Sequence, residues 1–530
     1  MKKSVCFPYH SMSVVSVRCT VVICALVLAG CSSLGLEYAP KTAHEPWRED
    51  PSRVVSSPDS AQSRRPAHGV TDASQTGAAQ GFTVPAVPEL AQWNVSDVQV
   101  PAHALSLPEL IDLAQRQNPQ TRQAWNAARQ AALAIGVVEA TFLPMLSANV
   151  IAGYQRTRQP LPLQIGDYST LETDLSGVVP ALALGWLLFD FGQREALLEG
   201  ATQLSRAANV LFNATHQKVI RDVTDQFYQY NTARTRVTLA HEALQNQQAI
   251  ARAVTERVKA GVATTVEQAL VQQAVAQARL YYVQSQGLER TTYLALLGAL
   301  GLEPTTEIQI ASLETRQLPA TLTALTMDRI RMALTQRPDL VASYAAMKAA
   351  QAGERAAEAE FLPKVFLGAV AANSRISFDV RGLPGLSQTT SSSGVLVGVT
   401  LPLYDGGLRR ARLRDAQIRT EQARHSLETR QKDAVREIIA AETLLQTALE
   451  SAQAADQLVI TATTANDAAF EAYKNGVGTV TVAIEAANSV LKARQASLDA
   501  YSASMIAAAN LAFVMGDMTT PQSSWMVRNP

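Results

Sequence analysis

Glu139-Ala140-Thr141-Phe142-Leu143-Pro144 returns 219 residues later as Glu358-Ala359-Glu360-Phe361-Leu362-Pro363. In both copies a long alanine-rich, helix-like stretch runs into Phe-Leu-Pro. Proline ends it, because the ring removes a backbone donor and disfavours α geometry in the residue before. Three further anchors surround this pair in the same order. Upstream, Gln117-Asn118-Pro119 is answered at the same spacing by Gln336-Arg337-Pro338. Downstream, Phe189-Asp190-Phe191-Gly192-Gln193-Arg194 is answered by Tyr404-Asp405-Gly406-Gly407-Leu408-Arg409, 215 residues on. Glu256-x-x-Lys259-x-Gly261-Val262-x-Thr264 is answered by Glu471-x-x-Lys474-x-Gly476-Val477-x-Thr479, again at 215. The chain therefore reads as one unit written twice, each of roughly 200 residues and too long for a solenoid repeat.

Each unit reads as helix, strand, strand, helix, helix. The opening helices are expected over residues 106–141 and 326–360, unbroken. First strands follow at about 145–156 and 364–375. In the second strands Leu182, Leu184, Trp186 and Leu188 share one face, as Val397, Val399, Leu401 and Leu403 do in the other unit, with small residues opposite. That alternation is the period of a sheet with two different faces. Gly/Ser/Pro-rich stretches at 157–177 and 376–394 read as loops between strands. Asp190 and Asp405 can cap the next helices. The runs from there to Lys259 and Lys474 lack proline and are nearly free of glycine, so each is a helix of about 100 Å at 1.5 Å per residue. Their apolar positions are mostly alanine, which suits shallow side-by-side packing. Gly261 and Gly476 supply the left-handed position that ends such a helix. Return helices run to about residues 297 and 515, and each, stacked end to end with the opening helix, matches the long helix in length.

All four cysteines (Cys6, Cys19, Cys24, Cys31) lie in the first 31 residues, which excludes a downstream disulfide framework, Cys-ligated metal or Cys nucleophile. Residues 20–30 are an apolar run, short for a membrane span and right for a signal-peptide core. It ends in Leu28-Ala29-Gly30-Cys31, which resembles the bacterial lipobox, so cleavage would leave Cys31 as a lipid-bearing N-terminus. Ser32 in second place, rather than Asp, implies sorting to the outer membrane. Such an anchor holds a protein at a membrane without spanning it. From Ser32 to about Ala104 the chain is rich in Pro, Ser, Ala and Gln and reads as extended.

Four strands of about ten residues with one bulky apolar face have the length of outer-membrane strands. Four cannot close, and an open edge is not tolerated in lipid, so other copies of the chain must complete the sheet. Tyr154, Trp186, Phe189, Phe378 and Tyr404 lie near strand ends, as an interfacial girdle would. At this point the chain resembles the TolC-type outer-membrane efflux factors, in the lipoprotein branch that serves resistance-nodulation-division pumps. The resemblance spans roughly residues 31–518 and rests on the lipobox, the doubled Phe-Leu-Pro, the strand endings at Asp190 and Asp405, and the Lys-x-Gly-Val turns. It implies a mainly α chain with a membrane β-barrel. Four strands per chain join a 12-stranded barrel in a homotrimer, continued into the periplasm by a coiled-coil α-barrel. It also implies a passive conduit working with a periplasmic adaptor (membrane fusion) protein and an inner-membrane pump.

The tips of that α-barrel would be the turns Lys259, Gly261, Val262 and Lys474, Gly476, Val477, where the adaptor docks. Lys259 and Lys474 also sit at helix C-termini, where a cation offsets the dipole. The resemblance places gate-lining carboxylates six residues after the turn glycine in the first unit, and six and nine after it in the second. Here those positions hold Glu267, Val482 and Glu485. Val482 departs from the pattern and points to one acidic ring beside an apolar constriction. Carboxylates at a narrow mouth attract cations. Thr264-x-x-Glu267 is equally a capping box, whereas Glu485 has no capping partner. Tyr473 matches a position where the family uses Tyr for closed-state contacts, and ordinary packing explains it as well.

Enzyme motifs are absent, with no His-Glu-x-x-His, Gly-x-Ser-x-Gly, Walker loop or dinucleotide fingerprint. With 46 basic and 46 acidic side chains the net charge is zero, which speaks against a nucleic-acid partner. The seven histidines are scattered, and neither metal nor cofactor is expected beyond the covalent lipid on Cys31. The expected division is a signal peptide (1–30), an anchored extended segment (31–104), first unit (105–302), connector (303–325), second unit (326–518) and tail (519–530). A type I protein-secretion conduit is a second reading. A lipid-anchored coiled-coil adaptor, a different class, would need one hairpin flanked by β-rich modules, where this chain has two hairpins and few strands.

Overall fold

The computed structural model describes residues 86–91, 103–165, 168–313, 318–319, 324–380 and 384–518. The signal segment, Cys31, most of the extended segment, parts of the connector and the tail 519–530 lie outside these residues. In the N-terminal unit Met1–Val98 the described structure includes a 3-10 turn at Pro88–Ala91. The rest belongs to the unit Gln99–Pro530. Its elements in chain order are α1 (Leu107–Gln117), α2 (Pro119–Ala140), β1 (Met145–Ile165), β2 (Tyr168–Phe189), α3 (Gln193–Lys259) and α4 (Thr265–Leu300). Then come α5 (Met327–Gln336), α6 (Pro338–Ala359), β3 (Lys364–Val380), β4 (Leu386–Thr400), α7 (Leu408–Lys474) and α8 (Val480–Val514).

Three expectations need correction. Each opening helix is two helices, broken at Asn118 and Arg337, which hold extended geometry (ψ 124° and 122°). The next residue in each case is proline at the first helical position, where its missing N–H is harmless and its effect on the preceding residue forces the break. The strands run to 21, 22, 17 and 15 residues rather than about ten. Much of what reads as loop at 157–177 and 376–394 is paired strand, because cross-strand partners override weak local preference. Arg156 meets Asp174 through two hydrogen bonds of 2.6 and 2.8 Å, and Arg158 meets Glu172 at 2.7 Å. Finally, Asp190 and Asp405 stand two residues before the capping position, which Gly192 and Gly407 fill with φ near +90°, yet each carboxylate still accepts a backbone N–H of the first helical turn, from Arg194 and Arg409.

The four strands form one antiparallel sheet in the order β1-β2-β3-β4. Leu184 lies opposite Leu146 and Ala369, and Ala369 opposite Val395. Opposed residues share a face, so the bulky sides of β2 and β4 fall on the same side of the sheet, as the alternation predicts for Val397 and Val399, whereas Leu401 and Leu403 lie beyond the end of β4. The helices continue the strand order, with α2 packed on α3, α3 on α6 and α6 on α7. Beyond them, α3 with α4 and α7 with α8 form hairpins, and α3 also packs on α8. Both long helices have 67 residues. The buried positions are often alanine, such as Ala345, Ala352, Ala441, Ala452, Ala493 and Ala509, which keeps the helix layer shallow.

The short helices stack end to end, but at the break, so that α2 and not the whole opening helix continues α4. Asn118 donates from Nδ2 to the Ala299 carbonyl at 3.0 Å, so α4 abuts the start of α2. Gly301, at φ +73°, allows this approach, since a Cβ there would fall 2.6 Å from Asn118 Cα. In the second half Arg337 Nη1 donates to the Val514 carbonyl at 3.3 Å, joining α8 to α6 in the same manner.

Candidate functional site

Where the sheet becomes helix, the repeated motifs meet one another. Asp190 accepts hydrogen bonds from Arg194 N and Nε at 3.1 and 2.9 Å. Both side chains are buried, and Arg194 also donates to the Thr141 and Leu187 carbonyls while lying 4.7 Å over the Phe142 ring. The second copy is similar but more open. Asp405 accepts from Arg409 N and Nε at 3.1 and 2.6 Å, and Arg409 lies 5.2 Å over Phe361. The carboxylate of Asp405 is held below the usual range chiefly by the Arg409 side-chain hydrogen bond. Phe142 and Phe361 thus receive the arginine that each downstream aspartate positions, a pairing across about fifty residues that spacing alone did not reveal.

Of the aromatics near the strand ends, Trp186 is half-buried and donates its indole N–H to the Phe142 carbonyl at 2.8 Å. Tyr154, Phe189 and Phe378 are exposed. Tyr404 is 90% exposed and Leu403 87%, so the chain leaves large apolar groups uncovered beside the strand ends.

At the opposite end, the two tip turns repeat each other. Gly261 and Gly476 take φ of +73° and +74°. Val262 N donates to the Arg257 carbonyl and Val477 N to the Ala472 carbonyl, at 2.9 and 3.0 Å, which closes both helix ends in Schellman fashion. In that motif the apolar residue after the glycine commonly packs back on the helix. Here Val262 and Val477 point outward, 63% and 83% exposed. Lys259 and Lys474 each reach back to a glutamate at 2.8 Å, Glu256 and Glu471, so their charge is partly offset.

Glu267 is engaged. Its carboxylate accepts from Thr264 N at 2.7 Å while its own N–H reaches the Thr264 hydroxyl at 3.2 Å, completing the capping box. In the second tip Thr479 receives only the Val482 N–H, at 3.4 Å, because valine offers nothing in return. Val482 is half exposed, and Glu485, one turn on, is exposed with no side-chain partner among the described residues. Tyr473 is the buried member of this group. It packs with Val480 and Ala483 of its own hairpin and with Val254 and Val271 of the other, and the Arg257 guanidinium lies 5.0 Å over its ring. The structure thus brings Tyr473 to the seam between hairpins and leaves Glu485 and Val482 on an open surface. Arg257 was not legible as a partner, since it belongs to the other half of the chain.

Midway along α3, Asp225 is pushed up to about 6, mainly by burial, with Asp222 adding to the effect and Arg221 opposing it. Its Oδ1 has no hydrogen-bond partner. Among the described residues no helix is long and apolar enough to cross a membrane and no cluster of metal-ligating side chains exists.

A sheet with two unpaired edges and an exposed apolar face, prolonged by two helices of 67 residues, each about three times as long as the membrane core is thick, defines an outer-membrane channel protein. The family model described as outer membrane efflux protein matches residues 110–302 and matches again over 329–517, so the chain belongs to that family. It is a non-enzymatic channel protein of efflux in the outer membrane, with a periplasmic extension. Protein CyaE of Bordetella pertussis is 27% identical over 399 residues, covering 74% of this chain and 80% of its own. Outer membrane protein OprJ of Pseudomonas aeruginosa is 26% identical, covering 78% and 88%. The crystal structure of the outer membrane protein VceC of Vibrio cholerae superposes with a TM-score of 0.63 at 19% identity, over 77% of this chain and 96% of that one, and shares the fold.

Proposed function

We propose that three copies of the chain close their sheets into one barrel of twelve strands, four from each, and that the helices form a periplasmic tunnel beneath it. The chain divides for this purpose as read from the sequence, with Cys31 lipidated and residues 105–302 and 326–518 acting as equivalent halves. The conduit is passive. It receives small molecules from a periplasmic adaptor and an inner-membrane pump and releases them outside. Glu485 and Val482 line the periplasmic mouth, Glu267 adds charge while capping its helix, and Tyr473 holds the two hairpins together when the mouth is narrow. The exposed Val262 and Val477, flanked by Lys259 and Lys474, offer the adaptor an apolar docking point.

The observation that supports this reading most strongly is the state of β1 and β4. Both are sheet edges, and Leu146, Val150, Val395, Val397 and Val399 on them are all more than 60% exposed. Such edges aggregate in water and are forbidden in lipid unless paired. The test is reconstitution of purified protein into a planar lipid bilayer. Stepwise ion conductance is expected, and protein that associates with the bilayer without conducting would remove the conduit reading.

A further inference from the structure

We infer the register in which β4 of one copy pairs with β1 of the next, and with it the residues that meet at the seam. The inference rests on the closed-sheet reading above and adds to it a specific alignment. Inside the chain, β2 and β3 join the two halves with partner numbers that total 553, from Thr173 with Val380 to Gly185 with Gly368. The seam between copies joins the same two kinds of strand, because β4 corresponds to β2 displaced by 215 and β1 corresponds to β3 displaced by 219 in the other direction. Seam partners therefore total four fewer, 549. Val399 meets Val150, Val397 meets Ala152, Val395 meets Tyr154, and Thr400 meets Asn149.

Two independent features agree with this alignment. The first is the face of each residue. Leu146, Val150 and Tyr154 share the bulky side of the sheet with Leu184, and so do Val395, Val397 and Val399. The inferred register joins bulky side to bulky side, whereas a slip by one residue would turn every side chain of one strand to the wrong face. The second feature favours this register over a slip by two. Tyr154 is the last large apolar residue before the polar run 155–159, which begins Gln155-Arg156-Thr157-Arg158, and Val395 is the last before Gly394 and Ser391-Ser392-Ser393. The register places Tyr154 and Val395 opposite each other, so apolar band meets apolar band. On the other face it places Leu396 opposite Gly153, where a Cβ would meet nothing within 4 Å in the isolated chain. Within the sheet the same large-over-glycine pairing already occurs, with Leu396 lying 3.3 Å from the Cβ position of Gly368 and the Phe366 ring seated against Gly398.

Paired cysteines test the register. β1 and β4 of one chain are three strand spacings apart, about 14 Å, too far for a disulfide, so any bond joins two copies. Two in-register double variants are made in the full chain, Val150→Cys with Val399→Cys and Asn149→Cys with Thr400→Cys. They sit on successive positions and so sample both the narrow and the wide type of antiparallel pair. Two slipped doubles, Ala148→Cys with Val399→Cys and Ala152→Cys with Val399→Cys, serve as comparison, and the unaltered chain controls for the native N-terminal cysteines. After oxidation and denaturation, at least one in-register double should run as covalent trimer, with roughly tenfold more cross-linking than either slipped double, since disulfide geometry is restrictive. Cross-linking of a slipped double at the same or higher yield would overturn the register. So would an absence of cross-links in protein whose native mass is that of three chains. Protein that is monomeric before oxidation would instead overturn the closed-sheet reading on which the register depends.

Discussion

Replacing Tyr473 with alanine should release the two hairpins from each other at the periplasmic tip. The side chain is 8% exposed and fills the space among Val254, Val271, Val480 and Ala483, under the guanidinium of Arg257. Truncating a buried aromatic to alanine costs about 3–5 kcal/mol in a closed core. The loss of the cation–π contact adds about 0.5–1 kcal/mol at a partly exposed site. A tip can collapse more readily than a core centre, so the lower end, about 3 kcal/mol per chain, is the working figure. With RT near 0.59 kcal/mol, that shifts the equilibrium between packed and separated hairpins by about 150-fold. The assay is amide hydrogen exchange resolved by segment, read alongside resting conductance in a planar bilayer. Residues 250–258 and 478–486 should exchange about two orders of magnitude faster, amides of β2 and β3 should not change, and resting conductance should rise. Tyr473→Phe keeps the ring and should leave both readings close to the parent. Unchanged tip exchange in the alanine variant would refute the packing argument. Faster exchange with unchanged conductance would leave Tyr473 as packing and remove it from the gate.

Three further outcomes are expected. Glu485→Ala should lower the cation preference or change the resting conductance of the reconstituted channel while assembly is intact, and no change in either would make Glu485 a solvated surface residue. Glu267→Gln keeps a capping partner for Thr264, so it should leave thermal stability unchanged while reducing cation preference. Glu267→Ala should in addition destabilise the start of α4 by about 1 kcal/mol. Equal conductance behaviour of parent and Glu267→Gln would confine Glu267 to capping. Asp225, pushed up to about 6 by burial, binds its proton more tightly folded than unfolded, where the carboxyl titrates near 3.9. Stability contributed by this group is therefore present below about pH 4 and lost as pH rises to about 6. The shift corresponds to about 3 kcal/mol, reduced by solvent screening because Asp225 is partly exposed, so Asp225→Asn should raise thermal stability by about 2 kcal/mol at pH 7 and by little at pH 4, as measured by melting at both values. A gain independent of pH would contradict the assignment to charge burial.

Much of the architecture was legible because the same motifs occur twice at fixed offsets. Phe-Leu-Pro ended the opening helices, the glycines at 261 and 476 ended the long ones, and the capping box at Thr264 and Glu267 appears as its spacing required. The misreadings have physical causes. Pro119 and Pro338 obey the rule that ended the helices at Pro144 and Pro363, yet the helical pattern on both sides of each concealed the break. Asn118 and Arg337, the residues that each proline holds extended, are also where α4 and α8 end, a contact that the local pattern does not show. The strands ran longer than apolar alternation suggested, because Arg156, Arg158, Asp174 and Glu172 stabilise polar arms by pairing across the hairpin, a contact invisible until the register is known. At the tip, single residues such as Glu485 could be placed by spacing from a glycine. Tyr473 needed its partners Val254, Val271 and Arg257, which lie more than 200 positions away.

The central claim is that one chain supplies only part of a closed membrane sheet. It is tested most directly by the native mass of the full-length protein extracted from the outer membrane in mild detergent, measured with the detergent contribution removed. The account predicts a species of three chains, stable to dilution, because separating the copies would expose the apolar edges of β1 and β4. A monodisperse single chain would mean that the sheet never closes, and the channel account would fail with it.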